Sequence, residues 1–134
     1  MAGSQKGQYF LKDKKAQIYQ FHEGEKDADG FMTEEDYTPV SPVPLWCYAK
    51  QLSQEQLFAA MTYWNNETRL FVFNFRADIK QYDKILYKNA WYEVTRVDTT
   101  DDYNGELFVY VKDEKAPPRE GQIKSYGYQR TTPK

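Results

Sequence analysis

The chain has 134 residues, a formal net charge of −2 and a pI near 5.5, which allows one hydrophobic core and leaves little room for a second. This mild acidity excludes a protein that coats nucleic acid by neutralising its phosphates. Cys47 is the only cysteine, so an internal disulfide and a cysteine-built zinc site are excluded.

Residues 1–15 carry Lys6, Lys12, Lys14 and Lys15 against Asp13, a local charge of +3, and read as a flexible arm without an apolar signal core. The first strand is expected over 16–21 (AQIYQF), where Tyr19 and Phe21 share one face and Ala16 and Ile18 the other. A long connection follows over 22–44. Pro39, Pro42 and Pro44 close it and favour extended backbone over helix.

The second strand is expected over 45–52 (LWCYAKQL). It leads into SQEQLFAAM, residues 53–61, where Ser53 and Gln56 form a capping-box pattern and Leu57, Phe58 and Met61 an apolar stripe. One short helix fits there. TRLFVFNFRA, residues 68–77, reads as a central strand because both of its faces are apolar: Phe71, Phe73 and Phe75 on one, Leu70 and Val72 on the other. A hairpin with arms 85–88 and 91–97 turns at Asn89, which tolerates positive φ. Asn104–Gly105 turns into a last strand over 106–112.

The expected architecture is mainly β: a small antiparallel β-barrel of about six strands, one short helix, long loops and flexible termini. It divides into an arm (1–15), a single barrel domain (16–112) and a tail (113–134). An aromatic content of 17 % suits β-structure. No apolar run is long enough to span a bilayer, so a soluble, non-secreted protein with no membrane partner is expected.

EKDADGFMTEED, residues 25–36, imitates the ligand spacing of a calcium loop, with Glu25, Asp27, Asp29 and Asp36 at the first, third, fifth and twelfth places and Gly30 at the sixth. Its flanks do not support that chemistry. A strand enters it and prolines leave it, whereas such a loop is held between helices. We therefore expect a solvated acidic loop, no metal and no cofactor. His22 and Cys47 supply one of each partner for a Cys–His pair, but Cys47 lies in an apolar strand and His22 at a strand end. No phosphate loop, zinc spacing or nucleophile elbow is present, so no catalytic residue is assigned and no enzyme is expected. A barrel with exposed aromatics that stacks single-stranded nucleic acid remains an alternative, although alternating Tyr and Phe more often form cross-strand pairs.

Taken in order, AQIYQF, DADGF, the Trp-containing strand entering LSQEQLFAAM, FNFRADI, ILYKNAWYEVTRVD and LFVYVK resemble the head–tail joining family of long-tailed bacteriophages, the head-closure, head-completion or stopper proteins. The likeness runs from about residue 16 to 112. The Asn89–Ala90 turn departs from the glycine-bearing turn common in that family. The resemblance implies a small β-barrel that acts as a structural connector protein of the virion neck. Its subunits assemble as an oligomeric ring, usually a dodecamer, under the portal and adaptor. There they close the DNA-filled head and offer the tail its attachment platform. Implied partners are further copies of the chain, the portal or adaptor ring, and the tail terminator or tail tube, with DNA passing through unread. The location implied is the virion, and the host cytoplasm during assembly.

By the same likeness, the channel or gating loop falls at Ser53, Gln54, Glu55, Gln56, Tyr63, Trp64, Asn65 and Asn66. From the charge asymmetry, Lys12, Lys14 and Lys15 are expected to meet Asp27, Asp29, Glu34 and Glu35 of a neighbouring subunit. A tail terminator or other tail-completion protein is the nearest alternative.

Overall fold

The computed structural model describes residues 10–26, 28–52, 67–74, 76–99 and 105–128. Within them run seven strands: β1 (Lys14–His22), β2 (Asp36–Pro39), β3 (Leu45–Gln51), β4 (Arg69–Asn74), β5 (Lys84–Tyr87), β6 (Ala90–Thr99) and β7 (Glu106–Asp113). A single 3-10 turn, Glu120–Gln122, is the one helical element among the described residues. The helix expected over 53–61 lies outside them.

All strand pairings are antiparallel. Following the hydrogen bonds from β1 gives β3, β4, β7, β6 and β5, and β5 pairs back onto β1. This is the expected six-stranded barrel, closed so that no edge is left in the ring. β1 closes it by changing partners along its length: Lys14–Ala16 face β3, Gln17–Tyr19 face β5, and Tyr19–His22 face β2.

The alternation read from the sequence becomes two cores. Ala16, Ile18, Cys47, Phe71, Phe73, Ile85, Tyr87, Tyr92, Val94, Leu107, Val109 and Val111 meet inside the barrel. On β4 the other parity, Leu70 and Val72, packs outside with Leu52 beneath Phe10, Tyr48, Phe108 and Tyr110. β4 is therefore buried on both faces, as a central strand should be. The β5–β6 turn uses two residues, Lys88 (φ 50°) and Asn89 (φ 65°), the left-handed pair that matches strand twist in a two-residue hairpin.

Three features add to the expected outline. β1 starts at Lys14, inside the stretch assigned to the arm, and Phe10 packs edge-on against Tyr48 and Phe108, each at 5.2 Å. The long connection after His22 holds an extra strand, β2, too short and polar (DYTP) to show a period. Past Asp113 the chain runs back along the barrel, so that Ile123 bridges Tyr37 in parallel and the Lys124 N–H donates to the Tyr37 carbonyl (2.9 Å).

Candidate functional site

Among the described residues the surface carries a hairpin and a C-terminal strap. The foremost projection is the acidic loop. It folds as a narrow hairpin: the Thr33 N–H donates to the Glu25 carbonyl (2.6 Å), the Glu25 N–H to Thr33 Oγ1 (2.8 Å), and Lys26 bridges Met32. Gly30 turns it with φ +88°, where an L side chain is strained. Gly24 sits at its base, where a Cβ would collide with the Thr33 carbonyl oxygen. Phe31 and Met32 stand exposed near the tip.

Two buried ion clusters brace β6, and sequence reasoning missed both. Glu67 is fully buried and accepts from Thr95 Oγ1 (2.6 Å), Arg96 Nε (3.0 Å) and the Arg96 terminal nitrogen (3.3 Å). Neighbouring strand residues normally point to opposite faces. A bulge between Val94 and Arg96 breaks that rule and brings both side chains to one carboxylate. The Arg96 guanidinium also lies 3.7 Å from the Tyr110 ring centroid.

In the second cluster the buried Lys84 ammonium donates to Glu93 (2.7 Å) and Glu114 (2.5 Å). Burial works against its charge, but the Glu114 and Glu93 carboxylates outweigh that and raise its pKa above the ordinary lysine value. Lys84 opens β5 as K-I-L-Y, one residue ahead of the arm expected over 85–88. The signal absent from the sequence is Glu114, which arrives from beyond β7.

Asp83 is likewise buried. Burial pushes its carboxyl up to about 6, even though it accepts from the backbone N–H groups of Phe21 (2.9 Å) and Lys80 (2.8 Å).

Of the calcium-like positions, Glu25 has its backbone tied to Thr33, Asp29 is exposed, and Asp36 is buried in β2 opposite His22. The spacing is thus spent on a hairpin and a strand. Asp27 lies outside the described residues, as do Ser53, Gln54, Glu55, Gln56, Tyr63, Trp64, Asn65 and Asn66.

Of the contact positions, Lys12 pairs with Glu106 (2.6 Å), Lys14 with Asp13 (3.0 Å), and Lys15 rests 4.6 Å from the Trp46 ring centroid. Glu34 pairs with Arg119, and the Glu35 carbonyl accepts from Gln122 (3.3 Å).

The structure does not bring Cys47 and His22 together. Cys47 sits opposite Lys14 at one end of β1, and burial pushes its thiol up to about 12. His22 is at the other end, its Nε2 2.6 Å from Thr38 Oγ1. A shallow groove of about 420 Å³ is lined by Thr68, Glu93, Lys112, Asp113, Glu114 and Lys115.

Comparison with known proteins gives this barrel a family. The family described as phage head completion protein matches residues 13–114, a span that includes every strand from β1 to β7. The chain belongs to the phage head completion family. Its role is accordingly a structural one in completing a phage head. Among solved structures, the chain is similar to protein SF1141 from Shigella flexneri 2a, known from a solution structure. The TM-score is 0.63 and the identity 13 %, over 78 % of this chain and 94 % of that one. That likeness is one of fold. No curated protein sequence matches.

Proposed function

We propose that this head completion protein is a ring-forming subunit of the phage neck, with about twelve copies beneath the portal and its adaptor. The ring closes the DNA-filled head and presents the platform for the tail terminator or tail tube, while the genome passes through without sequence-specific contact. The observation that carries the reading is the family match across the whole barrel.

Two features of the protomer support it. Closing the barrel leaves no open edge within it to aggregate. The hairpin and the strap after β7 then remain for contacts with neighbours. In this reading residues 53–66 face the channel. Lys12, Lys14 and Lys15 of one copy lie near the acidic hairpin (Asp27, Asp29, Glu34, Glu35) of the next. The protein acts in the virion, after assembly in the host cytoplasm, and performs no catalysis.

Electron microscopy of DNA-filled, tail-less heads carrying a tagged subunit tests the reading. Label at the portal vertex is expected. Label travelling with isolated tails would instead make the protein a tail terminator. Tight binding of an oligonucleotide at low salt would return the single-strand-binding alternative.

A further inference from the structure

Two exposed apolar features of opposite electrostatic setting lie at different ends of β1. At one end, Phe31 and Met32 are 70 % and 64 % exposed near the tip of the hairpin. Glu25, Asp29 and Glu35 flank them, all exposed, and outnumber Lys26, which bridges Met32. At the other end, Trp46 is 56 % exposed on the outward face of β3 and Val43, just before it, 62 %. The Lys15 ammonium lies over the indole, and Lys50 is exposed on the same face of β3. Isolated exposed apolar side chains need no explanation. An adjacent pair at the end of a projecting hairpin is different, and so is an indole bordered by lysines.

Trp46 pairs with Lys15, while the hairpin departs from His22, which separates the two features by about 23 Å along the strand. A knob and a seat set apart in this way suit a head-to-tail contact between copies, the heterologous geometry that gives a ring when the rotation between copies closes.

We propose that Phe31 and Met32 of one copy seat on Trp46 and Val43 of the next, with Glu25, Asp29 and Glu35 facing Lys15 and Lys50. The proposal rests on the ring reading above and relocates its contact. Lys12 and Lys14 already hold Glu106 and Asp13 within their own chain, so the apolar centre and Lys15 carry the neighbour contact.

Full-length Met32→Cys and Val43→Cys proteins, mixed and oxidised, test the contact directly, since native Cys47 is buried. The mixture is expected to form the inter-copy disulfide at least about tenfold faster than either variant alone, because the contact raises the effective thiol concentration. Equal rates, or no cross-link, overturn it.

A second arm images heads carrying tagged Phe31→Glu or Trp46→Glu, after circular dichroism confirms that each variant is folded. Loss of the ring with both variants supports the contact. Full occupancy with both overturns it and leaves the neck reading standing. Absence of the wild-type protein from necks overturns the neck reading alone, and the cross-linking rate then still decides the contact.

Discussion

Asp83 and Glu67 are both buried carboxylates, held by different partners. The folded-state pKa of Asp83, about 6, exceeds its ordinary value of 3.8 because burial disfavours its charged form. The folded protein therefore holds the proton more tightly than the unfolded chain. The stability this group contributes is fully present below pH 3.8 and lost as pH rises through about 6. Relative to Asp83→Asn, the wild type should gain roughly 2 kcal/mol as pH falls from 7.5 to 4. Urea titrations of both proteins at several pH values measure this, and parallel curves would refute it. Glu67 is instead stabilised by Arg96 and Thr95. Arg96→Ala leaves a carboxylate buried without its cation, at a cost of about 3–5 kcal/mol. Replacing Glu67 and Arg96 together with Met should cost less than Arg96→Ala alone, and thermal unfolding of both variants provides the comparison.

At the scale of elements, two additions to the barrel depend on few contacts and should come loose separately. Gly24→Ala forces a Cβ against the Thr33 carbonyl oxygen, and should open the hairpin while leaving the barrel folded. The measurable sign is faster hydrogen exchange at the Thr33 amide, with the β4 and β7 amides unchanged. Ending the chain after Pro118 removes Arg119, Gln122 and Lys124, which hold Glu34, Glu35 and Tyr37. That truncation should lower stability by about 1–2 kcal/mol, the scale of the few hydrogen bonds lost. A denaturation midpoint unchanged from wild type would show that the strap contributes nothing.

For the whole molecule, the balance between charge and apolar burial sets how copies associate. Exposed ion pairs contribute roughly 0–1 kcal/mol each and weaken in salt. Burying Phe31, Met32 and Trp46 side chains is worth roughly 1.5–3 kcal/mol apiece. Cross-linking between Met32→Cys and Val43→Cys copies should therefore fall less than about tenfold between low and high salt. A steep loss would mean that charge, not apolar contact, joins them.

Periodicity alone carried much of the architecture. β4 shows both parities apolar because both of its faces are covered, and β7 does so because Phe108 and Tyr110 pack outside while Leu107, Val109 and Val111 line the barrel. Local turn chemistry at Asn89 was legible for the same reason: the preference belongs to the residue itself. Other features required the folded chain. β2 has four residues and no period, and it becomes a strand only because β1 offers it a ladder. Glu67 with Arg96, and Lys84 with Glu114, are separated by 29 and 30 residues, so no local pattern marks them. The carboxylate spacing of residues 25–36 was present in the sequence, but hydrogen bonds between Glu25 and Thr33, and the ladder that buries Asp36, made it a hairpin and a strand. The order of residues determined which faces are apolar, because that property is intrinsic to each side chain. Which charges pair, where β1 changes partners and what the acidic segment becomes were decided by the tertiary structure, because these depend on groups that only folding brings together.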